Sequence, residues 1–346
     1  LLDTPVRHLE NRLMKRRSFA LALSARTVFG AFAALAACGV STVALAQDFP
    51  SRPIKVIVPQ PAGGGFDLVG RVMADKLTSL LGQPVTVENR PGSGTLVGTD
   101  AAAKSAPDGY TLVVGALPNI GLNPGLYAKL PYNSLRDFVP VGLAVSYGYT
   151  IVARKGLKQN TLAEVLAYAK ANPGKLTYGS GGNGTGQHVG MAVLASQAKV
   201  DITHVPYKGA QAAYQDLIGE RIDLFFDNTS TARNFVAQGQ VKAIAVSNAK
   251  PDATMPGVPT VRAAKGPNFE MESWFGYFAP AKVPPEVLVK LRAMFARALT
   301  YPDVIQRFEN SGGRVMGLAP AEMEALVIKD TERWTKLIKE AKVTVD

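Results

Sequence analysis

Two passages of strand, glycine loop and helix constrain this chain more than any other feature. Ile54-Lys55-Val56-Ile57-Val58 is a short apolar run. It leads into Pro59-Gln60-Pro61-Ala62-Gly63-Gly64-Gly65, and then Leu68, Val69, Val72, Met73, Leu77, Leu80 and Leu81 recur at close to helical spacing. The order returns in the second half. Lys175-Leu176-Thr177-Tyr178 is followed by the loop Gly179-Ser180-Gly181-Gly182-Asn183-Gly184-Thr185-Gly186, and Val189, Met191, Val193 and Leu194 follow on a helix. The first N–H groups of a helix have no helical partner, the helix dipole adds partial positive charge there, and glycine lets a ligand approach the backbone closely. Each loop is therefore a candidate anion seat. Either one alone reads equally well as an ordinary tight turn; the doubling favours an anion gripped from two sides.

Short apolar strands alternate with amphipathic helices from residue 50 onward, which predicts an α/β fold with mainly parallel sheets. Val85–Glu88 and Tyr110–Val114 continue the first half, and Ile202–Val205, Ile222–Phe226 and Val241–Val246 the second. Tyr149–Ala153 reads as a crossing strand and Trp274–Ala279 as the return. The expected layout is an N-terminal extension and signal over 1–46, a first lobe of 47–147 plus 276–346, and a second lobe of 148–275. Two closing helices, Pro285 to Leu299 and Ala321 to Ala341, are expected on the first lobe.

Of 346 residues, 47% are hydrophobic and 19% charged, with a formal net charge of +11. Residues 1–46 carry six Lys/Arg and two Asp/Glu, so the remainder is +7. That balance suits acidic small ligands. It is too diffuse for nucleic acid, since no basic run with interleaved aromatics follows residue 50. Lys15-Arg16-Arg17, an apolar run, and Ala44-Leu45-Ala46 before Gln47 form a secretory signal, with Met14 as the natural start. Arg16-Arg17-Ser18-Phe19 is a weak twin-arginine match. Leu35-Ala36-Ala37-Cys38 also matches a lipobox, so a lipid anchor at Cys38 stands beside cleavage after Ala46. Cys38 is the sole cysteine, which rules out an internal disulfide and a cysteine-ligated metal.

Enzyme signatures are missing from the loops. The first has no Gly-Lys-Ser/Thr, Leu68 stands where a dinucleotide fingerprint wants glycine, and the second lacks Gly-x-Ser-x-Gly. His188 and His204 have no partner at metal-ligand spacing, so no metal or cofactor is expected. Several residues keep two readings. Asp67 is a helix N-cap or a ligand contact. Phe66 packs in the core or presents its ring to the cleft. His188 orders its loop or touches ligand. Asp227 and Asn228 end a strand, where α/β sheets form their crevice. Trp274 reads as a packing residue of the hinge strand.

Longer blocks then carry a resemblance. Pro61-Ala62-Gly63-Gly64-Gly65-Phe66-Asp67, Gly82-Gln83-Pro84-Val85-Thr86-Val87-Glu88-Asn89-Arg90-Pro91-Gly92 and Ala106-Pro107-Asp108-Gly109-Tyr110-Thr111-Leu112 resemble the Bug family, receptors of tripartite tricarboxylate transporters. His204-Val205-Pro206-Tyr207-Lys208-Gly209, Asp223-Leu224-Phe225-Phe226-Asp227-Asn228 and Trp274-Phe275-Gly276-Tyr277-Phe278-Ala279-Pro280 agree with it. The resemblance spans about residues 49–346. It implies a type II periplasmic binding fold, two α/β lobes joined by crossover hinge strands, and a periplasmic, non-enzymatic monomer that hands a small carboxylate to a membrane permease. A signalling partner and a secreted enzyme on the same scaffold are the alternatives. By motif position it implies ligand contacts at Gly64, Gly65, Phe66 and Asp67 in the first loop. It implies Ser180, Gly181, Asn183, Gly184, Thr185 and His188 in the second, with Tyr207, Asp227 and Asn228 on the second-lobe side. One departure stands out: Gly65-Phe66 replaces the hydroxyl-bearing pair common before the loop aspartate. That removes a donor and implies either an altered carboxylate seat or a ligand with an apolar or aromatic body.

Overall fold

Two parallel three-stranded units, each wound the same way, organise the molecule. The computed structural model describes residues 49–345, so the expected export signal and Cys38 lie outside the described residues. In the first unit β1 (Ile54–Val58) lies between β2 (Val85–Asn89) and β3 (Thr111–Ala116), with Ile54 opposite Val85 and Val56 opposite both Val87 and Leu112. In the second, β5 (Thr177–Ser180) lies between β6 (Thr203–Pro206) and β7 (Leu224–Asn228). Helix α1 (Gly65–Leu81) follows β1, and α2 (Leu96–Ala103) follows β2. After a π-helical turn at Leu117–Leu122 and the short α3 (Asn123–Leu126), α4 (Leu162–Ala171) precedes the second unit. There α5 (Gly186–Ala198) follows β5, α6 (Ala210–Ile218) follows β6 and α7 (Thr229–Ala237) follows β7. The chain thus reverses direction across the sheet at β1 and at β5. Ligand crevices of open α/β sheets form at such switch points, beyond the strand C-termini. Both glycine loops sit there.

A single long strand joins the units. β4 (Phe138–Ala153) runs for 16 residues and is almost wholly buried. Its first part pairs with β9 (Glu272–Pro280), from Phe138–Pro280 to Gly148–Glu272. Its last five residues pair with β7 and, with a shift at Ile151/Val152, with β8 (Lys242–Val246). The sequence pattern marks only 149–153 as the crossing strand, because Pro140 and Gly142 interrupt the alternation. Pro140 is accommodated where the β4–β9 register shifts, as a proline within a sheet requires. Both crossings, β4 outward and β9 back, therefore lie side by side.

Three helices, not two, close the chain: α8 (Pro285–Ala298), α9 (Pro302–Asn310) and α10 (Pro320–Glu340), with the two-residue β10 (Arg314–Val315) before the last. α9 is short and begins with Pro302. α10 lays Met323, Val327, Trp334 and Ile338 into an apolar cluster that includes Leu117, Ile120 and Leu126. The same cluster continues through Tyr149 and Phe226 to Val189 and Met191 of α5. A second cluster packs α1 through Val69, Val72, Met73 and Leu77 on β1 and β3. Tyr277 Oη fastens that helix by donating to the Gly70 carbonyl at 2.6 Å. No helix among the described residues is long and apolar enough to cross a membrane.

The adjoining crossings leave no room for a side chain at Gly276. A methyl group there would run into the Gly142 carbonyl oxygen and come within 2.7 Å of the Leu143 Cα. Gly276→Ala is expected to lower stability by about 3 kcal/mol. Urea unfolding checks this; a change under about 0.5 kcal/mol would mean that the strands part easily.

Candidate functional site

The first glycine loop leaves its backbone donors open. Gly63 has φ +90°, a conformation costly for other residues, and Gly64 forms the N-cap with no side-chain capping bond. Among the described residues no acceptor pairs with the N–H groups of Gly64, Gly65, Phe66 and Asp67. Asp67 is the third residue of α1 rather than its cap. Its carboxylate turns back and accepts from the Gly63 N–H at 3.0 Å, from Arg71 Nε at 3.0 and 3.1 Å and from Asn89 Nδ2 at 2.9 Å. Burial works against its charge, but those hydrogen bonds outweigh it and hold the carboxyl below its usual range. Asn89 also donates to the Gln60 carbonyl at 3.1 Å, so loop, helix and β2 are tied together. Asp67 thus shapes the seat and spends its own charge on Arg71.

Phe66 lies in the core. Its ring is 2% exposed and meets Phe275 edge-on, centroids 5.2 Å apart. The expectation of a ring presented to the cleft is corrected on that ground, and with it the argument for an aromatic ligand body.

The second loop is stiffer, because most of its donors are used internally. Gly181 N–H donates to Gln187 Oε1 at 3.4 Å, Gly182 N–H to Ser180 Oγ at 3.1 Å, and Gly184 N–H to His188 Nδ1 at 3.2 Å. Thr185 is the true N-cap of α5: its Oγ1 accepts from the His188 N–H at 3.4 Å and donates to the Gly182 carbonyl at 2.7 Å. The N–H groups left without an acceptor among the described residues are those of Asn183, Gly186 and Gln187. Ser180, Gly184, Thr185 and His188 are buried supports, while Asn183 is exposed and Gly181 half-buried. Gly186 has no space for a side chain because the Tyr149 hydroxyl lies against it. Ser93-Gly94 of the first unit reaches this loop, and a Cβ on Gly94 would stand 3.1 Å from the Asn183 carbonyl oxygen.

His188 orders its loop, as one of its two readings proposed. The other histidine was missed by sequence spacing: His204, from β6, stacks face to face on His188 with centroids 4.0 Å apart, and its Nε2 meets Ser180 Oγ at 2.7 Å. Burial pushes the His188 imidazole down to about 4. Burial and the neighbouring His188 push His204 down to about 3. No group of three or more metal-binding side chains occurs among the described residues.

The remaining sequence candidates divide. Tyr207 is partly buried, its ring lies beside Gly179, and its hydroxyl donates to Asp216 at 2.8 Å. Asn228 is half-buried at the start of α7, and its Oδ1 has no partner. Asp227 is 1% exposed and accepts from Gln187 Nε2 at 2.8 Å. Gln187 was not among the sequence candidates, yet its amide joins Asp227 to Gly181. Its place just inside a glycine-opened helix was the available signal. Trp274 is a packing residue, buried, with Nε1 donating to Asp330 at 2.9 Å.

Twin α/β units, paired crossing strands and open N–H groups at both switch points define a solute-binding protein of the type II periplasmic binding fold. The tripartite tricarboxylate transporter family receptor pattern matches residues 69–343, and the chain belongs to that family. Among similar solved structures is the periplasmic binding protein BugD, 33% identical, with a TM-score of 0.78 over 85% of this chain and 99% of that one. The R. palustris protein Rpa4515 with adipate is 29% identical, TM-score 0.80, over 86% of this chain and 99% of that one. MatC from Rhodopseudomonas palustris with bound malate is 33% identical, TM-score 0.79, over 84% and 100%.

The histidine pair makes stability pH-dependent. Both imidazoles have folded pKa values below the ordinary 6.5, so their contribution is complete above pH 6.5 and is lost as pH falls toward 4 and 3. Asp227, raised to about 6, acts in the opposite sense between pH 4 and 6, but it is one group against two. The melting temperature is expected to fall by about 5 °C or more from pH 7 to pH 5, and less in His204→Gln. A flat profile in the wild type would show that the imidazoles are not held neutral.

Proposed function

We propose that this protein is a periplasmic receptor that captures a small organic carboxylate between its glycine loops and delivers it to a membrane permease of the tripartite tricarboxylate type. The observation that carries this reading is the set of open N–H groups on Gly64, Gly65, Phe66 and Asp67 at the start of a 17-residue helix. Such donors point one way, carry the positive end of the dipole, and match a carboxylate held by several short hydrogen bonds. The N–H groups of Asn183, Gly186 and Gln187 are the second grip. Adipate in Rpa4515 and malate in MatC support a carboxylate as the ligand class.

The two grips fall in two lobes, 47–147 with 276–346 and 148–275, and β4 and β9 are the hinge between them. Closing the lobes brings the second grip over a ligand already seated on the first, and the closed form is the one a permease recognises. An export signal over 1–46 places the receptor in the periplasm.

Calorimetric titration with butyrate, benzoate, malate and adipate tests the reading, with at least one acid expected to bind. Gly65→Pro removes one seat donor at a position where helices accept proline. It is expected to weaken that acid about tenfold or more, with a modest fall in melting temperature because a Cβ at this position stands 3.3 Å from the Phe275 ring. Absence of binding by any acid to folded protein, or full affinity in Gly65→Pro, would count against it.

A further inference from the structure

A buried acid lies under the second grip and has no part in the capture described so far. Asp227 ends β7 and is 1% exposed. One carboxyl oxygen accepts from Gln187 Nε2 at 2.8 Å, and the other, toward which the Tyr214 hydroxyl and the Asn228 N–H face, makes no well-formed hydrogen bond. The groups facing it come from each element packed around it. They are Gln187 of α5, Tyr214 of α6, Asn228 at the start of α7, and on β4 Thr150, its register partner, with Tyr149 alongside. None is a cation. The two titratable ones, Tyr149 and Tyr214, are held protonated by burial. Asp227 is therefore a carboxyl in a low-dielectric setting with no counter-charge, and burial pushes it up to about 6.

Gln187 connects this acid to the ligand. Its own backbone N–H is one of the open donors at the start of α5, and its Oε1 accepts the Gly181 N–H. An anion held at that helix start is one glutamine side chain from Asp227. Two negative charges so placed, with water excluded between them, raise each other's proton affinity. The nearby histidines are poor receivers of that proton, because His188 Nδ1 is already the acceptor for Gly184 N–H and protonation would break the loop.

We propose that capture of a carboxylate by this protein is coupled to uptake of one proton from solvent by Asp227, so that the buried acid becomes neutral as the anion arrives. The step forms one O–H bond on Asp227, breaks none in the ligand and needs no co-reactant. It rests on the carboxylate reading above and adds a positioning residue that senses the ligand's charge without touching it. Its consequence is selective: the site holds a fully ionised acid more tightly as pH falls from 8 to 6.

The test is calorimetry at pH 7 in buffers of different ionisation enthalpy, with malate and adipate as probes. The slope of observed enthalpy against buffer enthalpy counts protons. With Asp227 near 6 in the empty site and raised by about one to two units when occupied, about 0.4 to 0.8 proton is expected per ligand. Affinity should weaken about tenfold between pH 5.5 and pH 8. Asp227→Asn keeps an acceptor for Gln187 and should bring the count to zero and flatten the pH profile. Binding with no proton uptake by the wild type overturns the proposal and leaves the carboxylate reading intact. Uptake that persists in Asp227→Asn overturns the assignment to this residue. No binding of either probe, or of the monocarboxylates, overturns both. Should Asp227→Asn not fold, the wild-type proton count and pH profile still decide.

Discussion

The carboxylate of Asp67 is the contact on which the site depends. A carboxyl on the first turn of a glycine-opened helix has two courses: face the crevice and repel an anion, or turn back on its own loop. Here it turns back, accepting from Gly63 N–H, Arg71 and Asn89 together. Three consequences follow. The negative charge is neutralised where it would do harm, the strained turn at Gly63 is fixed, and the next four N–H groups are left pointing outward with no protein acceptor. The seat exists because its one acidic residue is occupied elsewhere.

The second loop reaches a comparable result by another route. It carries no acid of its own, so hydroxyls and imidazoles brace it: Ser180, Thr185 and the stacked pair His188–His204 take up the donors that would otherwise be free. That leaves fewer N–H groups open and a stiffer frame. The crossings of β4 and β9 run side by side beneath these loops and are pressed together at Gly142 and Gly276.

Much of this was legible in the sequence, because the loops are defined by local features. Strand period, glycines and helix period are read within twenty residues, and both loops are located that way, while the individual contacts at Gly64, Gly65 and Asn183 come only from the family resemblance. What escaped was non-local. Phe66 is adjacent to the seat in sequence, but its partner Phe275 is 209 positions away, and nothing near residue 66 shows that a ring waits there. Asp67 looks like a cap until Asn89 and Arg71 are seen on the same side. His204 belongs to β6, and its contact with His188 depends on how β5 and β6 pair. Asp227 was picked from its place at a strand end, but its isolation from any cation is visible only with Gln187 and Tyr214 around it. The same limit hid α9, whose apolar face holds only Val304 and Phe308 in the core.

In the proposed complex the first loop holds the anion with its backbone and the second loop with only the donors left free within it. Amide chemical shifts recorded during titration with adipate or malate test this residue by residue. The N–H signals of Gly64, Gly65, Phe66 and Asp67 should move downfield together and saturate with the ligand, as should those of Gly186 and Gln187, while Gly182 and Gly184, already bonded within the loop, should move far less. Saturable binding with the Gly64–Asp67 signals unmoved would contradict it.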